Sequence, residues 1–179
     1  MIAKEKLNIL WSLEQTAEKY ADRVAVSDVN QELTWKELVK KAQVIGAELS
    51  EKVQPGNPVP VLLEKSSETL AVMLGIVYAG CFYVPVNPMN PTERLRKIME
   101  KLDPEVIISD EKGKEQLAAV GNGLENKVMG PEALMTATGT ELSEEQYSRL
   151  EQIQGQWKET DVLYGILHPD QQEHRRQSW

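Results

Sequence analysis

Apolar positions along the first 110 residues follow two patterns that alternate along the chain. Apolar residues spaced three or four apart predict helices over residues 9–20, 38–49, 70–77 and 92–102. Short runs of β-compatible residues predict strands at residues 24–28, 59–63, 82–86 and 105–109. Because strands alternate with helices, the sequence favours an α/β domain with a largely parallel sheet and right-handed crossovers.

Helix start signals add detail to this assignment. Thr34 and Glu37 have the spacing of a capping box, in which each side chain satisfies a free backbone amide at a helix start. The helix that follows is predicted to bury Leu38, Ala42, Ile45 and Leu49. Ser66 or Ser67 can cap the next helix, which is predicted to end near Gly80. Its predicted buried stripe consists of Leu70, Met73, Leu74 and Val77.

The signal is weaker over residues 111–159, where glycines and polar residues predict loops around short helices. Ser143 and Gln146 have the spacing of a second capping box and predict a helix start. Residues 161–166 are β-compatible at most positions and predict a strand that returns to the core.

The charge balance and the cysteine count bear on partners and compartment. The chain has 28 acidic and 20 basic residues, for a formal net charge of −8. Nucleic acids and anionic membranes attract clustered Lys and Arg, so neither is expected as the main partner. Residues 1–10 contain no continuous apolar stretch, so no signal peptide or membrane span is expected there. Cys81 is the single cysteine, which excludes a disulfide framework and fits a reducing cytoplasm.

The distribution of histidine excludes several kinds of active site. The two histidines of the chain, His168 and His174, lie within the last 12 residues. Residues 1–167 therefore offer no Ser-His-Asp triad, no Cys–His pair and no histidine-ligated zinc site. The sequence from Gly121 to Gly123 lacks the third glycine of a dinucleotide-binding fingerprint.

Two stretches of the sequence resemble motifs of adenylation domains and acyl-CoA synthetases. Residues 33–38, Leu-Thr-Trp-Lys-Glu-Leu, resemble the Leu-Thr-Tyr-x-Glu-Leu motif near the start of these enzymes. Residues 78–95 resemble a second motif of these enzymes. Its glycine, aromatic residue, prolines and Glu-Arg pair occur here at the same spacings as in the motif. The positions that match are Thr34, Glu37, Leu38, Ala79, Gly80, Tyr83, Pro85, Pro88, Glu93 and Arg94. The chain departs from the pattern at Asn87, where Asp is usual, and at Cys81, where Gly or Ala is common.

The chain is accordingly identified as a member of the adenylate-forming (AMP-binding) ligases, of the amino-acid adenylation or D-alanine carrier-protein ligase type. The resemblance implies that residues 1–166 are a partial N-terminal region, an incomplete α/β subdomain with a largely parallel sheet flanked by helices. It implies amino acid, ATP with Mg²⁺ and a carrier protein as partners of the intact enzyme. The matching residues have structural rather than catalytic roles, since they cap helices and shape turns. Cys81 is interpreted as a small buried hydrophobe.

In this family the strand at residues 161–166 runs into a phosphate-binding loop rich in Gly, Ser and Thr, which is not present here. Codons permitted for residues 167–179, read with one added T in front, translate as Phe-Thr-Ser-Gly-Ser-Thr-Gly-Thr-Pro-Lys-Ala-Val-Val. In the shifted frame, the last two bases of nearly every codon are the first two bases of a codon for residues 167–179. The choice among synonymous codons therefore leaves little room to create this match. The sequence therefore predicts a one-base deletion after Ile166 and an out-of-frame, disordered tail over residues 167–179.

Several alternatives remain open. The family's substrate-binding and catalytic groups match no position of this chain, so we expect no catalytic, cofactor-binding or metal-binding residue here and no activity of the chain alone. A second chain that carries the remainder could complete a split ligase, or the fold could serve as a non-catalytic α/β interaction module. In the tail, His168 and His174 flank two acidic residues in a pattern that also suits a metal site, and Arg175 with Arg176 suits a basic contact.

Overall fold

The computed structural model describes residues 9–136, 141–158 and 161–166. The tail over residues 167–179 lies outside the described residues, and so do the predictions of disorder, a metal site or a basic contact there. Within the described residues the helices are α1 Ile9–Lys19, α2 Trp35–Ser50, α3 Ser67–Tyr78, α4 Thr92–Leu102, α5 Glu111–Val120, α6 Pro131–Thr136 and α7 Glu144–Gly155. The strands are β1 Val24–Ser27, β2 Glu32–Thr34, β3 Pro58–Leu62, β4 Phe82–Pro85, β5 Ile107–Ser109 and β6 Val128–Met129. A short 3₁₀ helix, Leu124–Lys127, precedes β6.

The central sheet has the strand order β4–β3–β5–β6, and all of its neighbouring strands are parallel. Strands β1 and β2 form a separate antiparallel hairpin. The α/β fold class with a largely parallel sheet and flanking helices is therefore confirmed. Parallel strands need crossover connections, and α3, α4 and α5 provide them.

The hydrophobic core lies on both faces of this sheet. On one face, side chains of α2 and α3 pack against the strands, including Leu38, Ile45, Val72, Ile76, Val59 and Val61. On the other face, side chains of α4 and α5 pack against the strands, including Leu95, Met99, Leu117, Leu62, Val84 and Ile107. A third cluster joins α1 and α7 to the outer side of α2 and α3, and it contains Leu10, Ala42, Tyr78 and Leu150.

Helices α2 and α3 approach each other closely at two glycines. A β-carbon at Gly75 would lie 2.5 Å from Ile45 Cγ2 and 3.0 Å from the Ala42 carbonyl oxygen. A β-carbon at Gly46 would lie 3.0 Å from the Gly75 carbonyl oxygen. The contact between these helices thus depends on the absence of a side chain at both positions.

The predicted buried stripe of α3 is wrong in part. Leu70 is exposed, Met73 and Leu74 are half-buried, and the helix buries Ala71, Val72, Ile76 and Val77. Apolar residues surround almost the whole circumference of this helix, so spacing alone does not select a face. The close approach at Gly75 decides which side meets α2.

Two predictions for the second half need correction. In the described part of residues 111–159, the predicted loops and short helices are present around the 3₁₀ helix and α6, but α5 and α7 are longer helices and the strand β6 was not predicted. The predicted strand over residues 161–166 is reduced to a single parallel bridge between Tyr164 and Tyr83 of β4. On the side of β4 that faces residues 161–166, the next residue after Tyr83 whose backbone groups are available is Pro85. Proline has no backbone N–H, so it cannot form the next hydrogen bond of the ladder.

Candidate functional site at the carboxyl edge of the sheet

The topology of the sheet marks one place for a ligand. The chain leaves β3 towards β4 on one side, and it leaves the adjacent strand β5 towards β6 on the other. In open parallel sheets the crevice at such a reversal, beyond the carboxyl ends of the strands, is where ligands bind. The candidate site therefore lies between the loop at residues 63–66 and the residues that follow Ser109.

The α3 side of this site is closed by a carboxylate. Ser66 caps the helix, and its Oγ accepts a hydrogen bond of 3.0 Å from the Thr69 N–H. The Asp28 Oδ2, which comes from the β1–β2 hairpin, accepts hydrogen bonds from the Ser67 N–H at 2.7 Å and from the Ser67 hydroxyl at 2.6 Å. These bonds, with those from Asn30, hold the pKa of Asp28 far below its usual range. The first amide of α3 is thus already bound to a negative charge.

The α5 side of the site has a similar arrangement. Asp110 caps α5 and accepts a hydrogen bond of 2.8 Å from the Gly113 N–H. The buried Ser109 hydroxyl donates to the Leu62 carbonyl oxygen at 3.1 Å, which ties β5 to β3 beneath the crevice. Gly113 packs so closely on Ser109 that a β-carbon there would overlap the Ser109 hydroxyl.

These features do not fit a nucleotide triphosphate. A phosphate site needs free helix amides or cationic side chains, and both helix starts are occupied by carboxylates. Lys65 is the single cationic side chain among residues 63–67 and 109–111, whereas Glu64 and Glu111 add negative charge. At this site the Ser67 and Gly113 amides are bound to carboxylates, and Lys65 is the cation that could pair with a phosphate.

The residues of the first motif lie away from this crevice, at the start of α2. Thr34 Oγ1 accepts a hydrogen bond of 3.3 Å from the Glu37 N–H, and the Glu37 carboxylate accepts one of 2.8 Å from the Thr34 N–H. The bonds from Thr34 lower the pKa of Glu37. Leu38 is buried beneath this cap. The predicted capping box is present, and its side chains are engaged with each other.

The first part of the second motif lies at the opposite, amino end of β4. Ala79 is fully buried at the end of α3, and Gly80 adopts a left-handed φ of 76°. The Gly80 carbonyl oxygen accepts a hydrogen bond of 2.8 Å from the Gly56 N–H. A β-carbon at Gly80 would also lie 2.7 Å from Ile153 Cγ2 of α7. This position therefore requires glycine both for its backbone conformation and for lack of space.

Cys81 follows this turn and is chemically protected. Its side chain is buried, and burial raises the pKa of the thiol to about 12. Its Sγ lies 3.4 Å from the Gln54 carbonyl oxygen. A thiol of this kind remains protonated at neutral pH and is not a nucleophile.

The rest of the second motif lies at the carboxyl end of β4 and in α4. Pro85 ends the strand and is exposed, and Pro88 is half-buried in the loop that follows. Asn87 Oδ1 accepts a hydrogen bond of 2.9 Å from the Met89 N–H and so forms the turn. Glu93 pairs with Arg96, which lowers the pKa of Glu93. Arg94 is half-buried and makes no ion pair within the described part of the chain.

Tyr83 connects the motif to residues 161–166. Its ring stacks on the ring of Tyr164, with 6.0 Å between centroids, and its carbonyl oxygen accepts a hydrogen bond of 3.0 Å from the Gly165 N–H. Burial raises the pKa of Tyr83. Because the pairing is parallel, this segment runs towards the carboxyl edge of the sheet.

The motif residues thus lie in separate groups, and only Pro85 and Pro88 lie at or beyond the carboxyl end of a strand of the sheet. Sequence reasoning missed Asp28 and Ser109, which define its floor and one wall. An Asp in a turn after a short strand gives no signal that it reaches a helix start 39 residues away. Across residues 9–136, 141–158 and 161–166, no three acidic, His or Cys side chains are grouped as a metal site, and no helix is long and apolar enough to cross a membrane.

Comparison with known proteins gives a consistent picture. The sequence profile of a family described as "AMP-binding enzyme" matches residues 13–175. Bacitracin synthase 1 of Bacillus licheniformis is 37% identical over 107 residues, which is 59% of this chain and 2% of that protein. Gramicidin S synthase 2 of Brevibacillus brevis is 33% identical over 110 residues, 61% of this chain and 2% of that protein. The chain thus spans only a few hundredths of the length of either relative.

Solved structures share the fold. The structure of VinN superposes with a TM-score of 0.65 at 24% identity, over 82% of this chain and 36% of that chain. The N-terminal subdomain of Klebsiella oxytoca NpsA gives a TM-score of 0.64 at 22% identity, over 75% of this chain and 34% of that one. At this level of identity the likeness shows the fold alone.

Proposed function

The chain belongs to the AMP-binding enzyme family, and we propose on this premise that residues 1–166 form the N-terminal part of an ATP-dependent amino-acid adenylating ligase. The family match over residues 13–175 is the observation that carries the proposal. Relatives that are peptide synthases support the amino-acid-activating type. We further propose a cytoplasmic location, which the single, buried cysteine supports.

The proposed reaction has two stages. The carboxylate of an amino acid displaces pyrophosphate from ATP and forms the aminoacyl-adenylate, and a carrier-protein thiol then takes the acyl group and releases AMP. Such catalysis depends on donors and cations placed around the phosphates. At the crevice the Ser67 and Gly113 amides are already bound to Asp28 and Asp110, which supports the proposal that the donors and cations come from another part of the enzyme.

We propose that the 179-residue chain is inactive and binds no ATP by itself. Its described residues supply the scaffold: the sheet, its helices, and the segment at residues 161–166 that runs towards the carboxyl edge. The phosphate loop that the family requires is proposed to lie in the reading frame reached by one added base after the codon of Ile166.

Amino-acid-dependent exchange of pyrophosphate into ATP tests this proposal. Two proteins are compared, the chain of 179 residues and the product of the same gene with one T added after the codon of Ile166. We expect no exchange from the first and exchange with one amino acid or a few from the second. A restored product that folds, as shown by circular dichroism, and exchanges with none of the 20 amino acids or D-alanine would contradict the proposal.

A second candidate function, a non-catalytic α/β interaction module, is favoured by the acidic crevice itself. Carboxylates at both helix starts disfavour phosphates and leave the fold intact. Under this alternative the chain binds a specific protein partner in cells, and the restored product shows no exchange activity. Affinity purification of the 179-residue chain, followed by the exchange assay on whatever copurifies, separates the two functions.

A further inference from the structure

The turn between α5 and the 3₁₀ helix contains a reactive pair of residues. Asn122 is the one asparagine of the chain that is followed by a glycine, Gly123. The side-chain carbonyl carbon of an asparagine can be attacked by the backbone nitrogen of the next residue. Glycine has no β-carbon and hinders this attack least. The Gly-Asn-Gly sequence at residues 121–123, which is not a dinucleotide-binding fingerprint, therefore suits a different chemistry.

Both reacting groups are available in the folded chain. The Asn122 side chain is exposed, and it forms no hydrogen bond with any of the described residues. The Gly123 N–H likewise donates to no atom in residues 9–136, 141–158 and 161–166. The hydrogen bonds of the turn use other groups: the Leu124 N–H donates to the Gly121 carbonyl oxygen at 3.5 Å, and the Asn126 N–H donates to the Gly123 carbonyl oxygen at 3.1 Å.

The backbone of the turn has room to reach the reactive geometry. Ring closure requires the peptide unit between Asn122 and Gly123 to rotate, so that the nitrogen meets the side-chain carbon. Asn122 has a left-handed φ of 62°, which is an unfavourable conformation for an L-residue, so local strain does not oppose this rotation. A β-carbon at Gly121 would have no atom within 4 Å, and one at Gly123 would meet Asn126 Nδ2 at 3.5 Å. This open space permits the rotation.

A charge formed at residue 122 would lie beside an existing contact between two elements. Asn122 lines the same cleft as Asp103 and Lys127. Lys127 Nζ, at the end of the 3₁₀ helix, donates to the Pro104 carbonyl oxygen at 2.8 Å and lies 3.9 Å from Asp103 Oδ1. A carboxylate at position 122 would compete for this ammonium group, which ties the 3₁₀ helix to the end of α4.

We propose that Asn122 is a site of spontaneous deamidation. The Gly123 nitrogen loses its proton to solvent base and bonds to Asn122 Cγ, while the Cγ–Nδ2 bond breaks and ammonia leaves. Water then opens the resulting succinimide at either carbonyl carbon, which gives aspartate or, with a backbone longer by a carbon atom, isoaspartate. The reaction consumes water and releases ammonia, so it needs no oxidant, reductant or second protein. This chemistry is independent of adenylation.

Mass spectrometry of the full 179-residue chain, digested at intervals during incubation at mildly alkaline pH, tests the proposal. We expect residue 122 to become about 1 Da heavier, at a rate that increases with pH because base removes the N–H proton. Hydroxylamine, which cleaves succinimides, should cut the chain between residues 122 and 123. Asn126 is the internal control, since it is also exposed but is followed by Lys127, and it should react at least about tenfold more slowly.

The same chain unfolded in guanidinium shows whether the fold permits the reaction. Because the native turn holds Asn122 in an unfavourable conformation, folding should slow the reaction about tenfold at most. A folded chain that stays unmodified while the unfolded chain reacts at Asn122 overturns the proposal. Equal reaction of Asn122 and Asn126 overturns it as well.

Two variants identify the reacting atoms. Gly123→Ala should slow the reaction about tenfold or more, because the methyl group shields the nitrogen. Gly123 has a φ of 70°, which strains alanine, so circular dichroism checks that this variant folds. Asn122→Gln keeps the amide but moves it away from the Gly123 nitrogen, and the mass increase at residue 122 should disappear. An unchanged rate in folded Gly123→Ala, or an unchanged mass increase in Asn122→Gln, contradicts the proposed attack.

Discussion

The rings of Tyr83 and Tyr164 stack with 6.0 Å between their centroids, although 81 residues of sequence separate them. Together with one hydrogen bond from the Gly165 N–H to the Tyr83 carbonyl oxygen, this contact holds residues 161–166 against the sheet. The aromatic position of the second motif thus has a physical role, because it fixes the direction in which the chain approaches the carboxyl edge.

Loss of the Tyr83 ring should loosen the segment. Stacked aromatic pairs contribute about 0.5–1.5 kcal/mol beyond burial, so Tyr83→Ala should speed exchange of the Gly165 amide hydrogen about three- to tenfold. Tyr83→Phe keeps the ring and should leave exchange unchanged. Hydrogen exchange measured by NMR tests both variants, and equal rates in Tyr83→Ala and the original chain would show that stacking does not hold the segment.

The carboxylate of Asp28 should make stability depend on pH. Its pKa is lowered in the folded chain, chiefly by the Ser67 hydroxyl and N–H. The stabilisation is therefore complete above the pKa of an unfolded aspartate, about 4, and is lost as the pH falls below that value. Asp28→Asn should be less stable than the original chain at pH 7, with a difference that shrinks towards pH ~2.5. Urea unfolding at several pH values measures this, and a difference that does not change with pH would contradict the role.

The close approach of α2 and α3 predicts strong intolerance at Gly75. A β-carbon there meets Ile45 Cγ2 and the Ala42 carbonyl oxygen, so Gly75→Ala should lower the free energy of unfolding by about 1–3 kcal/mol. Gly155, at the end of α7, has no atom within 4 Å of such a carbon. Gly155→Ala is therefore the control and should be neutral or slightly stabilising. Similar effects at the two glycines would refute the packing account.

The capping box at Thr34 should contribute measurably to stability. Thr34→Ala removes the acceptor of the Glu37 N–H and should cost about 1 kcal/mol, whereas Thr34→Ser keeps the hydroxyl. Chemical denaturation of both variants compares them directly. Equal losses in Ala and Ser would assign the effect to the methyl group of threonine rather than to the cap.

Cys81 should be unreactive in the folded chain. Because its pKa is raised to about 12 and its side chain is buried, a thiol reagent at pH ~8 should label it only after urea is added. Labelling at the rate of a free thiol without denaturant would show that the turn around Gly80 opens readily.

Local signals in the sequence predicted the fold well, and contacts between distant residues were harder to predict. The capping boxes at Thr34 and Ser143 were both predictable, because their partners lie three residues away. The buried face of α3 was not, since the helix is apolar all round and its face is set by glycines of two helices. The strand at residues 161–166 was overpredicted because its length depends on Pro85 of the partner strand.

The candidate site shows the same division. The motifs indicate the family and place Pro85 and Pro88 after a strand, but the walls of the crevice come from elsewhere in the chain. Asp28 reaches Ser67 across 39 residues, and Ser109 reaches Leu62 across 47. Neither contact has a periodicity or a spacing that a single sequence reveals.

The nucleotide sequence of the gene, read in all frames from the codon of Ile166 through several hundred bases, tests the central claim most directly. We predict that the frame reached by one added base encodes Phe-Thr-Ser-Gly-Ser-Thr-Gly-Thr-Pro-Lys and continues as a long ligase. If that frame closes within a few codons, the hidden loop is a coincidence of the genetic code, and the account of a one-base deletion after the codon of Ile166 fails.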